Sequence, residues 1–147
     1  MERLGFRHEA LIYGDSDEFL ATTIPFLRSA IENGVDTFDC VAPSRVARNA
    51  AVFTTRGRFN VNAAPSRRTF APIDDDCDCY TCAHYTQAYL HHLFKAREML
   101  ASTLCTIHNE RFVVRLVDDI RASIEAGTFF EFKLDFLGRY YGGSSPR

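Results

Sequence analysis

The amino-acid sequence predicts an α/β chain whose last third is helical. Three observations carry that prediction. A helical pattern over Glu18–Asn33 stops at Gly34 and runs without a linker into the apolar stretch Val35–Val41, the join of an α/β unit. Two short strand-like runs then flank Thr55-Arg56-Gly57, the pattern of a β-hairpin. From His84 onward, apolar residues recur at helical spacing, with one stretch near the end that also alternates.

In chain order, Gly5–Gly14 holds a short strand with Ala10-Leu11-Ile12-Tyr13 as its apolar part. Asp15-Ser16-Asp17 supplies N-cap residues, and Phe19, Leu20, Ile24, Leu27 and Ile31 line one face of the helix that follows. Pro25 kinks or restarts that helix. Asn33-Gly34 stops it, and the strand Val35–Val41 carries Asp39 at its carboxyl end. The hairpin pairs Ala51–Thr54 with Arg58–Asn62, and Pro65 and Pro72 bracket a loop leading to the cysteines. Tyr89, Leu93, Ala96, Leu100 and Leu104 form the stripe of a helix over His84–Leu104. A second helix carries Phe112, Val113, Leu116, Val117, Ile120 and Ile124 and closes at Gly127. A third covers Phe129–Tyr141 with Phe129, Phe132, Phe136, Leu137 and Tyr140 inward, although Phe130, Phe132, Leu134 and Phe136 also alternate as a strand would. Gly142–Arg147 reads as a disordered tail.

A chain of 147 residues makes one domain with a real core. Its hydrophobic fraction of 46% and charged fraction of 24% are those of a soluble globular protein. No apolar run approaches the roughly 20 residues of a membrane span, and the first residues lack a signal-peptide pattern. The expected location is therefore cytoplasmic, where thiols stay reduced. The net charge of -2 hides an uneven distribution. No acidic residue occurs from Cys40 through Ile73, a stretch that carries Arg45, Arg48, Arg56, Arg58, Arg67 and Arg68. Such a block suits phosphate contact, and its plain alternative is a solvated arginine-rich loop. Asp74-Asp75-Asp76 follows at once.

Three of the five cysteines fall in Cys77-Asp78-Cys79-Tyr80-Thr81-Cys82. Cys-x-Cys-x-x-Cys lets one loop wrap a metal with three thiolates, and thiolate-rich tetrahedral sites select zinc. The competing readings are reduced buried cysteines or a redox Cys-x-x-Cys pair. Spacing leaves the fourth ligand open among His84, His91, His92, Cys105 and His108. His84 sits close to the loop, whereas Cys105 and His108 lie beyond a helix able to fold back onto it. Four protein ligands would make the ion structural and a direct source of folding energy.

Three segments carry a family resemblance: Cys77-Asp78-Cys79-Tyr80-Thr81-Cys82, Ala88-Tyr89-Leu90-His91-His92-Leu93-Phe94-Lys95-Ala96 and Thr106-Ile107-His108-Asn109. Together they resemble the zinc region of bacterial tRNA-guanine transglycosylases. The stretch Gly34-Val35-Asp36-Thr37-Phe38-Asp39-Cys40-Val41-Ala42-Pro43-Ser44-Arg45 resembles the active-site strand of the same family. The likeness runs from about Ala30 to Tyr141. It implies a zinc held by Cys77, Cys79, Cys82 and His108, with Cys105 and His84 demoted. It implies that Asp39 is the nucleophile of an exchange of guanine for a queuine-type 7-deazaguanine base at the tRNA wobble position. A carboxylate can form a covalent glycosyl intermediate and split such an exchange into two steps. Ser44, Arg45 and Arg48 fall where the family contacts the anticodon loop, which is the expected RNA partner.

The fold implied is the C-terminal portion of a (β/α)8 barrel, followed by a zinc-binding subdomain and C-terminal helices. A whole barrel takes about 250 residues, so the barrel is incomplete within this sequence. No counterpart of the family's general base or guanine pocket precedes Ala30. Instead Gly5-Phe6-Arg7-His8-Glu9-Ala10-Leu11-Ile12-Tyr13, Asp17-Glu18-Phe19-Leu20 and Ile24-Pro25-Phe26-Leu27 are similar to the opening of a MEDS-type bacterial sensory domain. The expected organisation is a rearranged or foreign segment over 1–29, a last barrel segment over 30–73, a zinc subdomain over 74–141 and a tail over 142–147. Two functions follow: a transglycosylase that does not exchange bases alone, or a non-catalytic zinc module that binds tRNA or dimerises. Expected partners besides tRNA are a second copy or a fuller transglycosylase subunit, with no membrane. Cys40 reads as a strand-packing thiol, Cys105 as a buried helix residue, and His91 and His92 as helix-surface or packing residues.

Overall fold

Pro43 stands in the first turn of helix α1 (Ala42–Ala47), where its fixed φ and missing N–H do no harm. That helix opens the described part of the chain, since this computed structural model describes residues 40–142. All of them belong to one compact unit, Cys40–Arg147. The expected strand near the amino terminus, the helix Glu18–Asn33, Asp39 and most of Val35–Val41 lie outside the described residues, as does the tail beyond Gly142. Cys40 and Val41 are described and neither is strand; Val41 is the N-cap of α1. Cys40 is exposed, which corrects the expectation of a packed thiol there.

The hairpin forms where the sequence implies, although its second strand runs over Gly57–Asn60 rather than Arg58–Asn62. Strand β1 (Ala51–Thr54) pairs antiparallel with β2 (Gly57–Asn60), with Ala51 opposite Asn60 and Thr54 opposite Gly57. Ala50 precedes it at φ 60, and Gly57 follows the tight loop at φ 118, a value that glycine alone takes at no steric cost. The loop bracketed by prolines contains a 3-10 helix, Ala64–Arg68. The carbonyls of Thr69 and Ala71 then accept from the backbone N–H groups of Ala88 and Gln87.

The helical part differs from the expected division. The stretch His84–Leu104 is not one helix. Helix α2 (Tyr80–His84) ends at extended Tyr85, and α3 (Gln87–Lys95) starts behind an N-cap threonine, Thr86, whose Oγ1 accepts from the Tyr89 N–H at 3.3 Å. At the far end Arg97 takes φ 60. Its N–H donates to the Phe94 carbonyl and that of Glu98 to the Leu93 carbonyl, a Schellman stop without glycine. Helix α4 (Met99–Glu125) then continues through 27 residues. It ends in the same motif built on Gly127 at φ 71, with the N–H groups of Gly127 and Thr128 bonded to Ile124 and Ser123.

Helix α5 (Phe129–Gly142) settles the ambiguous last segment as helix. Phe129, Phe132, Phe136 and Tyr140 are half-buried on one face, while Leu137, expected inward, is exposed. Phe132, Phe136 and Tyr140 stack in succession, with ring centroids 6.1 and 5.6 Å apart. The core lies between α1, the hairpin, α3 and the first half of α4, and is made of Ala47, Val52, Val61, Ile73, Leu90, Leu93, Ala101, Leu104 and Cys105. Among the described residues the sheet is two-stranded, so they contain the cysteine loop and its helices rather than a parallel barrel wall. No helix among them is long and apolar enough to cross a membrane.

Candidate metal centre

The loop before α2 brings three sulfurs together because it is pinned at both ends. Asp74 accepts from the Thr55 N–H at 3.1 Å and from the Asp76 N–H at 3.2 Å, and its carbonyl accepts from the Cys77 N–H at 3.2 Å. Asp78 takes a two-pronged contact from Arg111 of α4, at 2.8 and 2.6 Å. That contact holds its carboxyl below the ordinary range. Arg115 donates to the Asp76 carbonyl. Beyond the loop, buried Thr81 donates its hydroxyl to the Leu104 carbonyl at 2.7 Å, so α2 is fixed against α4.

These ties leave the sulfurs of Cys77, Cys79 and Cys82 facing Nδ1 of His108, at 3.6, 3.6 and 3.3 Å. All four ligand atoms lie within 4.8 Å of one another. A tetrahedral zinc with bonds of about 2.3 Å to sulfur and about 2.0–2.1 Å to nitrogen implies N···S edges of about 3.5–3.6 Å. The observed distances match those edges, and the donor set is one that zinc prefers. The residues present therefore fit a structural zinc.

The three sulfurs hold their protons unequally. The hydrogen bond from Cys82 is the largest effect holding the Cys79 thiol down, to about 3. The same bond, then burial, pushes Cys82 far up, and burial raises Cys77. Protein groups alone thus stabilise one thiolate, helped by the Cys82 N–H 3.3 Å from the Cys79 sulfur. Three thiolates in one place require a cation.

His108 is fully buried, and its other nitrogen decides its tautomer. Nε2 lies 2.7 Å from the Phe53 carbonyl and must carry the proton to donate there, which leaves the Nδ1 lone pair for a metal. The neighbouring residue completes the arrangement. Asn109, also fully buried, accepts from the Phe53 N–H at 3.1 Å and donates to the carbonyls of Pro43 and Ala51 at 3.1 and 3.0 Å. One turn of α4 therefore supplies a candidate metal ligand and caps the open edge of β1. Sequence reasoning quoted Asn109 without giving it a role. Its signal was an amide on the buried face of a helix, which needs partners.

The other possible fourth ligands are elsewhere. Cys105 is fully buried in the core, and burial pushes its thiol up to about 12. His91 is buried and bonds the Val61 carbonyl at 3.1 Å, while exposed His84 bonds the Tyr80 carbonyl at 2.9 Å. His92 is exposed on α3. Arg45, Arg48, Arg56, Arg58, Arg67 and Arg68 are all exposed, and none pairs with a carboxylate among the described residues. Ser44 is half-buried and donates to the Val41 carbonyl at 3.2 Å.

The family model described as "Queuine tRNA-ribosyltransferase" matches residues 21–142. A relative of that name from Caldanaerobacter subterraneus subsp. tengcongensis is 51% identical over 116 residues, covering 79% of this chain and 31% of the relative. One from Symbiobacterium thermophilum is 48% identical over 121 residues, 82% of this chain and 30% of the relative. A Dehalococcoides mccartyi relative is 54% identical over 114 residues, 78% of this chain and 29% of its own length. The chain thus spans under a third of the length of the curated relatives it matches.

Proposed function

The chain belongs to the queuine tRNA-ribosyltransferase family, and on that premise we propose that it acts in tRNA-guanine exchange as the zinc-stabilised, anticodon-binding part of such an enzyme. The observation that carries the reading is the family match over residues 21–142 together with a Cys3His cluster of tetrahedral dimensions inside it. Zinc here is structural: four protein ligands leave no position for substrate. The ion would tie the cysteine loop to α4, holding α1 and its arginines against a rigid base.

Asp39 is the proposed nucleophile. Its carboxylate oxygen bonds the ribose anomeric carbon as the bond to guanine N9 breaks, and guanine leaves with a proton. The incoming 7-deazaguanine base then attacks the same carbon, loses a proton and releases Asp39. Ser44, Arg45 and Arg48 are the proposed contacts to the unpaired anticodon loop, the part of an RNA whose bases and phosphates a protein can reach. Residues 1–147 are proposed not to exchange bases by themselves, because positioning supplies much of the rate and the guanine pocket is expected from other strands. The proposed protein partner is a fuller transglycosylase, or a second chain meeting it through the zinc region.

The second reading is a module that binds tRNA or a partner without chemistry. It is favoured by the exposed, acid-free arginine block, which needs no Asp39. Purified chain and Asp39→Asn, each with and without a full-length relative inactivated at its own nucleophile, separate the two. Labelled guanine entering tRNA only with wild-type Asp39 establishes the enzyme reading. Equal tRNA binding by both proteins and no exchange in any mixture leaves the module.

A further inference from the structure

Cys77 differs from the other three candidate ligands in its surroundings. His108 is fully buried and Cys79 nearly so, while Cys82 packs against the core. Cys77 is half-buried and lines a cleft of about 320 Å³ between the cysteine loop, α4 and α5. Leu116 of α4 and Phe132 and Phe136 of α5 contribute its apolar lining, and its charged lining is balanced, three arginines with three aspartates. A cleft of that volume lies at the small end of ligand pockets, and its balanced lining selects by size rather than by sign of charge. The residues on either side of Cys77 are clamped by α4. Arg111 takes Asp78 with both prongs, at 2.8 and 2.6 Å, and Arg115 donates to the Asp76 carbonyl. Both arginines line the same cleft. Solvent reaches both partners of the Arg111–Asp78 pair, so the pair opens at small cost.

We infer that this cleft is the port of metal exchange, that Cys77 is the ligand a small carrier displaces there, and that the Arg111–Asp78 pair is its latch. A metal site needs an entry path as well as ligands. The carrier is a compact chelate or thiol whose donor atom is a carboxylate oxygen or a thiolate sulfur. A lone pair of that donor bonds the metal as the Cys77 sulfur gives up its own bond, leaves as a thiolate and takes a proton from solvent. The exchange needs no oxidant or reductant, and loading runs the same steps in reverse. The other ligands are anchored against such displacement. The Cys79 sulfur accepts from the Cys82 N–H at 3.3 Å, and His108 is held through Nε2 by the Phe53 carbonyl at 2.7 Å. To move them, α2 or the hairpin must move too, whereas Cys77 needs only the loop between two clamped neighbours to give. This inference rests on the metal centre, goes beyond the transglycosylase reading and does not depend on it.

The test follows zinc leaving the loaded chain, with initial zinc content and helicity as folding controls. The chelator is ethylenediaminetetraacetate, free or coupled to a large dextran, at equal concentration of chelating groups. The free form withdraws zinc at a rate that rises with its concentration, and the coupled form does so several times more slowly. Asp78→Asn and Arg111→Ala speed withdrawal by the free form about two- to fivefold, the factor that an exposed ion pair supplies. Raising the salt speeds the wild type and leaves both variants unchanged. Leu116→Trp, which fills the cleft, slows withdrawal several-fold. Peptide mapping after brief treatment of the loaded chain with N-ethylmaleimide finds Cys77 labelled ahead of Cys79 and Cys82, an outcome that needs no variant to fold. A chain that takes up no zinc overturns the inference at the outset. Equal rates for the free and coupled chelators overturn it, as does a rate unmoved by Asp78→Asn. A folded Leu116→Trp with the wild-type rate, or Cys79 or Cys82 labelled first, does the same.

Discussion

The metal half of the molecule and the last two turns of α4 with α5 are built on opposite economies. Around the cysteine loop, a handful of buried polar atoms each have a named partner, and side chains far apart in sequence meet there. In α5 no residue is buried, and order comes from repetition of one aromatic face against α4 and β2. A site specified by directional bonds fails when one atom is removed. A face specified by apolar repetition loses stability in proportion to area.

Removing a ligand should give the largest effect. His108→Ala is expected to lose zinc and most helicity in α2 and the first half of α4, since structural zinc supplies on the order of 10 kcal/mol in small sites. Metal content by mass spectrometry alongside circular dichroism checks this, and a well-folded variant without metal would contradict it. Asn109→Ala comes next. It leaves the Phe53 N–H and the Ala51 carbonyl without partners in a buried place and takes a second donor from the Pro43 carbonyl, costing about 3 kcal/mol. In a thermal melt that lowers Tm by about 10 °C or more.

Gly57→Ala tests the join between the halves. A Cβ there would sit 2.9 Å from the Tyr140 carbonyl oxygen, and φ 118 is strained for any side chain. The expected cost is about 2 kcal/mol, read by denaturant unfolding. The metal content should be unchanged, and its loss would mean that the two halves are not separable.

The smallest effect belongs to Asp78→Asn. Both partners of its ion pair with Arg111 are exposed to solvent, so screening limits the contribution. The folded carboxyl titrates below its ordinary 3.8, so the contribution is present above that pH and is lost as pH falls through the folded value. The melting difference between variant and wild type should shrink with salt. A large, salt-independent difference would move the pair into the specified half.

What the sequence shows and what it hides divides along the same line. Cys77, Cys79 and Cys82 were legible because their ligand chemistry is carried by rare residues at fixed spacing, and His108 followed from the family likeness. The two helix stops make the contrast sharp. Gly127 marks its Schellman motif, because glycine is what a left-handed position prefers. Arg97 occupies the identical position with no sign in its side chain, so two helices and their break read as one. The inner face of α5 was legible in its spacing, except Leu137. Asp39 lies outside the described residues, and its role stands on resemblance.

The peptide unit of Phe53 carries a further consequence. Its N–H is held by Asn109 and its carbonyl by His108, across sequence separations of 56 and 55 residues. The imidazole cannot present its lone pair in one fixed direction until the hairpin has arrived against α4. Closure of so long a loop is a slow, non-local event in folding. Tight metal capture should therefore come late, and the exchange rate of a single backbone amide proton, that of Phe53, would serve as a clock for it.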